Sequence, residues 1–199
     1  MALGSLLLQR HYVRLYTNEK WENIRIPRTE AGKPHYERLE FNVSHDGGLV
    51  ILVGYNIPVG ADIIQRNSTT FSGCDWSDVY SVREMKFLAD CVGSEFNDAC
   101  SIMWALKESY MKCIGCPDWE QLKTIEFLNI RMPQINGYVI QAVDNVIIHS
   151  FRQQPYIELH DVDGTHFIAV YTSKAPISEI AVFERLRLND IVDGLDVNG

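Results

Sequence analysis

The chain has 199 residues, of which 46% are hydrophobic and 22% are charged, and its formal net charge is −8. This length and composition are typical of a globular protein with one domain or two small lobes. The negative charge argues against general nucleic-acid binding, and no apolar run reaches the ~18 residues that a membrane-spanning helix needs.

The charge is distributed unevenly along the chain. The first forty residues contain seven basic and five acidic side chains, whereas the remainder contains eleven basic and twenty-one acidic ones. A basic region ahead of an acidic body suits a phosphate-bearing ligand or an acidic partner, although a mixed solvated surface explains the pattern as well.

The five cysteines are odd in number and scattered in spacing. This pattern predicts a reduced, cytoplasmic protein rather than a secreted one held by disulfides. Cys113 and Cys116 form a C-x-x-C pair, but no second pair follows at zinc-finger spacing, so a metal or redox role is not favoured.

The first part of the chain alternates short apolar runs with turn residues. The predicted elements are a helix over residues 3–18 and strands over residues 23–26, 39–43, 49–53 and 59–64. Residues 28–34 form a turn-rich loop that carries Arg28 and Lys33. A second turn is predicted over residues 44–48, which read SHDGG.

Asp62 is unusual because it lies in an apolar strand, where an unpaired carboxylate is costly. It requires a cation, a hydrogen-bond donor or water, and exposure on an edge strand would also satisfy it. If strands 49–53 and 59–64 pair as a hairpin, Asp62 lies opposite Leu52. It is then roughly ten to fifteen ångströms along the sheet from the turn at residues 44–48, so both can face one ligand.

The second part begins with helices and continues with strands. Helices are predicted over residues 81–92 and 97–115, and period-two strands over 124–130, 138–143, 146–151, 156–162 and 166–172. A short helix is predicted over residues 180–188. Helix followed by sheet therefore occurs twice along the chain, which favours an α+β fold.

The helix predicted over residues 97–115 has one apolar stripe. Its members recur at helical spacing and are Ala99, Ile102, Met103, Leu106, Tyr110, Cys113 and Ile114. Glu108 falls almost opposite the stripe, with Trp104 and Lys112 four residues away on either side. The simplest interpretation is an exposed Glu–Lys pair that contributes a few tenths of a kcal/mol.

Three segments in this order resemble a known family: GKP at 32–34 with FNVSH at 41–45, VGADI at 59–63, and WALKESYMK at 104–112. They are similar to the broad-specificity, two-lobed class of 4′-phosphopantetheinyl transferases, and above all to the eukaryotic enzymes associated with aminoadipate-semialdehyde dehydrogenase and fatty acid synthase. The resemblance covers roughly residues 4–172.

The resemblance implies a pseudo-duplicated α+β fold of two lobes, each with an antiparallel sheet and a helix. The first lobe is expected over residues 1–64, a connecting loop over 65–80, the second lobe over 81–175 and a tail over 176–199. Relatives carry further strands before the first helix, so we expect a first lobe shortened at its N-terminus. An arginine of that helix is expected to be replaced by Leu6, with Arg10 one turn later.

The resemblance also implies an activity, namely transfer of the phosphopantetheine arm of coenzyme A to a serine of an apo carrier protein. The protein is then expected to be a cytoplasmic monomer that uses Mg²⁺. By position, Arg28 and Lys33 match residues that hold the nucleotide phosphates. The other matches are the phosphate-contacting turn (Asn42, Ser44, His45), the Mg²⁺ ligands (Asp62, Glu108) and the lysines beside the pyrophosphate (Lys107, Lys112).

Phosphoryl transfer independently requires such residue types, because it depends on charge neutralisation and an oriented nucleophile. Glu108 is the candidate base for the carrier serine, and Lys112 would steady the pyrophosphate or share the proton. Many relatives have an acidic residue where this chain has Ile64. Two alternatives are a non-catalytic module that binds coenzyme A or a carrier protein, and an α+β interaction protein with chance motif matches.

Overall fold

The structure, a computed structural model, describes residues 2–66, 76–116, 119–175 and 183–193. The first elements are helix α1 (Ala2–Thr17) and strands β1 (Glu40–Asp46), β2 (Leu49–Tyr55) and β3 (Val59–Gln65). Helices α2 (Val82–Asp90) and α3 (Ser94–Ile114) follow. Then come β4 (Ile125–Ile130), β5 (Tyr138–Ile140), β6 (Val143–Ile148), β7 (Phe151–Gln153), β8 (Tyr156–Val162), β9 (His166–Thr172) and α4 (Leu188–Asp193).

Within these residues the strands form three sheets, and every strand pair is antiparallel. The orders are β1-β2, β3-β9-β8-β5 and β4-β6-β7. Helix α3 packs on β3 and β9, and its apolar side chains form one core with β4, β6, β8 and β9. The predicted α+β class with antiparallel sheets is confirmed. None of the described helices is both long and apolar enough to span a bilayer.

The predicted hairpin between the strands at 49–53 and 59–64 is wrong. Strand β2 pairs with β1, with Ser44 opposite Ile51, and β3 pairs with β9, with Asp62 opposite Ala169. The turn between β1 and β2 contains only Gly47 and Gly48, both at positive φ, as two-residue hairpins favour. Residues 44–46, predicted as a turn, therefore belong to a strand, and β3 joins a sheet of the predicted second lobe.

Several boundaries also differ from the sequence-based prediction. Residues 23–26 form no strand, although Ile24 is fully buried. In place of the two strands predicted over 138–143 and 146–151 there are three, β5, β6 and β7. Of the predicted helix at 180–188, residues 180–182 lie outside the described part, and α4 begins only at Leu188.

Helix α3 begins three residues earlier than predicted and is buried over much more than one stripe. The predicted stripe is confirmed from Ala99 to Tyr110, but Ile114 is 48% exposed. Ser101, Lys107 and Ser109 are buried as well, because α3 contacts not only β3 and β9 but also β4 and α2. An amphipathic pattern predicts a single buried face, so this additional burial was not visible in the sequence.

Lys107 is one of these additional buried residues, and it forms an ion pair in the interior. Its ammonium lies 2.8 Å from the carboxylate of Glu84 in α2, and neither side chain is exposed. It also donates hydrogen bonds to the carbonyls of Leu122 (2.7 Å) and Ile125 (2.5 Å). Glu84 in turn accepts from the backbone N–H groups of Ser81 and Phe127. The pair therefore joins α2, α3 and β4 in the interior.

The contact between α3 and β3 depends on Gly60. A Cβ atom at this position would lie 1.8 Å from the carbonyl oxygen of Ser109 and 2.4 Å from the backbone nitrogen of Cys113. Both atoms belong to the backbone of α3, so no side-chain rotation can relieve the overlap. The helix can lie this close to the strand only because residue 60 is glycine.

We predict that Gly60→Ala lowers the free energy of unfolding by at least about 2 kcal/mol, because the added methyl group forces α3 away from β3. Urea denaturation measures this change. Gly4→Ala is the matched control, since its Cβ would meet only Val50 at 3.7 Å. In helix α1 this control should be neutral or stabilising by up to about 1 kcal/mol. Equal stability of the two variants would contradict the role given to Gly60.

We also predict that Lys107→Met lowers the free energy of unfolding by about 3–5 kcal/mol, because it leaves the buried Glu84 carboxylate without its cation. Lys123→Met removes an exposed lysine that pairs with Asp78 at 3.1 Å and should cost no more than about 1 kcal/mol. If denaturant unfolding gave similar losses for both variants, the buried pair would not hold the helices together.

Candidate active site

Strand β1 is held beside the edge of β3 by side chains rather than by a backbone ladder. The amide oxygen of Asn42 accepts a hydrogen bond from the backbone N–H of Ala61 (3.0 Å), and the carboxylate of Asp46 accepts from that of Gln65 (2.7 Å). Between them, the hydroxyl of Ser44 donates to the carboxylate of Asp62 (2.7 Å). Residues 42, 44 and 46 share one face of β1 because strand side chains alternate.

This row of three side chains includes Asp46, which sequence reasoning missed. Three polar residues at period two in a strand would have been the signal, but the predicted turn over residues 44–48 concealed it. The row explains how Ser44 and Asp62 meet although their strands belong to different sheets. The expected proximity is therefore observed, while the hairpin that was expected to produce it is not.

Lys112 and Glu108 of α3 complete the cluster around Asp62. The ammonium of Lys112 lies 2.5 Å from Oδ1 of Asp62, 3.0 Å from Oγ of Ser44 and 3.7 Å from Oε2 of Glu108. Asp62 and Ser44 are buried, whereas Glu108 and Lys112 are partly exposed. Two carboxylates thus share one positive charge at the junction of α3, β1 and β3.

Burial is the main influence on the acidic groups of this cluster. It raises the pKa of Asp62 and of Glu108, although the positive charge of Lys112 opposes the shift at both. Asp62 further raises the pKa of Glu108, and Asp46 raises that of Asp62. The cluster therefore holds more negative charge than its single lysine balances, and additional positive charge would stabilise it.

A cleft of about 290 Å³ opens directly beside the cluster. Glu108 and Lys112 of the cluster line this cleft together with Arg28, Lys33 and Asn42. A second cavity of about 560 Å³ is also lined by Lys33 and Pro34. The cationic loop therefore contributes to the lining of both cavities, and its positive charge favours an anionic ligand there.

Both cations of the loop are held by backbone carbonyl groups. The guanidinium of Arg28 donates to the carbonyl of Gly32 (2.7 Å), and the ammonium of Lys33 donates to that of Val59 (3.3 Å). Gly32 adopts a positive φ of 80°, which lets the loop turn back on itself. Neither cation is neutralised by a carboxylate within ion-pair distance in the described residues, so both keep charge for a ligand.

Three residues singled out from the sequence lie elsewhere. Lys107, expected beside the pyrophosphate, is paired with Glu84 in the interior, and that expectation is corrected. His45 is exposed and lies on the opposite face of β1 from Ser44, because these residues form a strand and not a turn. Trp104 packs against the apolar core beside α3, although it shares a row with Glu108.

The donor atoms of the cluster fit a hard divalent cation such as Mg²⁺. Asp62 and Glu108 direct carboxylate oxygens toward the same ammonium group, so their oxygens already face one centre of positive charge. In the described residues no three His, Cys, Asp or Glu side chains come together as a metal site. Two carboxylate ligands are sufficient for Mg²⁺, because this ion usually retains several waters and also binds substrate phosphates.

The chain matches two models of one protein family. Residues 58–170 match the 4′-phosphopantetheinyl transferase superfamily, and residues 1–57 match the N-terminal part of a 4′-phosphopantetheinyl transferase. The N-terminal match ends at residue 57, between β2 and β3. The superfamily match contains Asp62, Glu108 and Lys112, whereas the N-terminal match contains the loop at 28–34 and strand β1.

Curated relatives agree with these matches. The L-aminoadipate-semialdehyde dehydrogenase-phosphopantetheinyl transferase of Rattus norvegicus is 29% identical over 192 residues, covering 87% of this chain and 61% of the rat protein. That of Homo sapiens is 28% identical over 200 residues with the same coverage, and that of Schizosaccharomyces pombe is 30% identical over 135 residues, covering 58% and 52%. The chain spans about three fifths of the mammalian proteins. It belongs to the 4′-phosphopantetheinyl transferase superfamily.

Proposed function

We propose that the protein transfers the 4′-phosphopantetheine arm of coenzyme A to a serine hydroxyl of an apo carrier-protein domain and releases adenosine 3′,5′-bisphosphate. The observation that carries the proposal is the cluster of Asp62, Glu108 and Lys112 at the side of a cleft with a cationic loop. Family membership gives this arrangement its chemical meaning.

The reaction replaces a phosphoanhydride bond by a phosphate ester bond. The serine oxygen attacks the phosphorus that carries the pantetheine arm, and the bond from that phosphorus to the bridging oxygen of the pyrophosphate breaks. The bisphosphate leaves with the bonding electrons, so negative charge develops on the leaving oxygen. Positioned cations that neutralise this charge contribute most of the catalysis in phosphoryl transfer. Arg28 and Lys33 would bind the nucleotide phosphates, and Lys112 would bind the pyrophosphate.

Glu108 is the residue that would receive the proton of the serine. It lines the cleft wall, and burial raises the pKa of its carboxyl group above the usual value. A base is most effective when its pKa lies closer to the working pH than that of an ordinary glutamate does. Lys112, four residues farther along α3, would at the same time hold the phosphate that the serine attacks.

Asp62 and Glu108 would hold Mg²⁺ beside the pyrophosphate. When bound, this ion supplies positive charge that stabilises the phosphate oxygens in the transition state. Ser44 supports this assignment from the protein side, because its hydroxyl donates to Asp62 and orients the buried carboxylate. Asn42 is proposed to serve the same cleft, since it fixes β1 to β3 at the cleft wall. His45 is exposed on the opposite face of β1 and does not belong to this cluster.

The acceptor is proposed to be a carrier domain of the fatty acid synthase or aminoadipate-semialdehyde dehydrogenase type, which would connect the protein to fatty acid synthesis or lysine metabolism. The names of the rat, human and yeast relatives support the second type. A cytoplasmic monomer is also proposed, and the free cysteines within the described residues support a reducing compartment.

The test is incubation of the protein with coenzyme A, Mg²⁺ and an apo carrier domain, followed by intact-mass spectrometry. We expect the carrier to gain the mass of phosphopantetheine. Glu108→Gln and Asp62→Asn should each slow the transfer at least about 100-fold, because they remove the base and a metal ligand. Circular dichroism should show that both variants remain folded.

Lys123→Gln is the control for this assay, since this exposed lysine pairs with Asp78, does not line the cleft and should leave the rate unchanged. A rat relative run in parallel shows that the carrier is competent. If that relative modifies the carrier and this protein does not, the proposed reaction is refuted. Calorimetric binding of coenzyme A in that case would instead favour a non-catalytic binding module.

A further inference from the structure

Lys112 occupies the gap between the two carboxylates of the cluster. Its ammonium is within ion-pair distance of both Asp62 and Glu108 and also reaches the hydroxyl of Ser44. Within the described residues it is the only cation at ion-pair distance from either carboxylate. The position that suits a divalent cation is thus taken by a side chain of the protein.

A buried carboxylate such as Asp62 needs a compensating charge while it is ionised, because leaving it unpaired in a low-dielectric environment is costly. An ammonium group and a divalent cation cannot both lie between the same two carboxylates, since they would repel each other strongly at such short range. One of the two must therefore leave when the other binds.

We propose that Lys112 is the internal counterion of the free cleft, and that a divalent cation reaches Asp62 and Glu108 only by displacing its ammonium toward the phosphates of the bound substrate. This inference rests on the proposed metal role of the two carboxylates. It adds that the divalent cation and coenzyme A bind cooperatively, because the side chain of Lys112 moves from the carboxylates to the substrate phosphates. Such coupling is reciprocal, so each ligand strengthens the other by the same factor.

Lys112 is free to move because α3 does not depend on it for its position. The helix is held against β3 by the backbone approach at Gly60 and by a buried core, and on its other side by the pair of Lys107 with Glu84. The side chain of Lys112 is itself partly exposed and lines the cleft in which the substrate phosphates are proposed to bind. Its ammonium can therefore exchange one anionic partner for another without unpacking the helix.

The experiment measures Mn²⁺ binding to the full chain without coenzyme A, by calorimetry or by the electron paramagnetic resonance signal of the free ion. Lys112→Met should bind Mn²⁺ at least about fivefold more tightly than the unsubstituted protein, because the competing ammonium is gone. Lys112→Arg keeps the charge and should bind Mn²⁺ no more tightly. Lys33→Met removes a positive charge from the same cleft but not from the carboxylates, and should change the affinity by less than about twofold.

The same titrations are then repeated with coenzyme A and with adenosine 3′,5′-bisphosphate, which lacks the pyrophosphate. Coenzyme A should tighten Mn²⁺ binding by a larger factor in the unsubstituted protein than in Lys112→Met, and the bisphosphate should tighten it less than coenzyme A does. Circular dichroism on each variant confirms that the fold is retained.

Equal or weaker Mn²⁺ binding by Lys112→Met would overturn the inference, and would mean that the ion uses the other carboxylate oxygens while the ammonium stays in place. Asp62→Asn separates this outcome from failure of the proposed function. If Asp62→Asn abolishes Mn²⁺ binding but Lys112→Met does not strengthen it, only the counterion role fails. If Asp62→Asn has no effect on Mn²⁺ binding, the metal assignment itself fails.

Discussion

The close approach of helix α3 to strand β3 brings Asp62 together with Glu108 and Lys112 at the cleft. A Cβ atom at residue 60 would overlap the backbone of α3, so glycine at this position lets the helix settle directly on the strand. Two residues farther along β3, Asp62 then comes within 2.5 Å of Lys112. A helix displaced by a larger side chain would leave the carboxylate of Asp62 buried without a cation, which is an energetically costly arrangement.

The second constraint is the row of Asn42, Ser44 and Asp46 that joins β1 to β3. Two of these side chains take the place of a backbone ladder by accepting hydrogen bonds from β3, and the middle one orients Asp62. Polar side chains in the interior usually cost stability, but here each has a partner. The contact between the two sheets therefore both joins them and contributes Asn42 to the cleft, which explains why one face of β1 carries three polar residues.

Lys107 and Lys112 illustrate how the environment decides the role of a residue type. They are five residues apart in α3, and both are near Glu108 in the sequence. Lys107 points into the interior, where Glu84 and two carbonyl groups use all of its donor capacity. Lys112 faces the cleft and pairs with carboxylates that a ligand can take over. One lysine thus stabilises the helix position, and the other is available for chemistry.

The sequence by itself determined helix α3, the apolar stripe from Ala99 to Tyr110, the α+β class and the family, because these depend on local periodicity and on motifs at fixed spacing. It also placed Glu108 and Lys112 in one row. Only the tertiary structure decided that β1 pairs with β2 and β3 with β9, that Lys107 is buried, and that His45 faces away from Ser44. A period of two is the same for every strand, so partner choice depends on contacts between residues far apart in the chain, which local patterns do not encode.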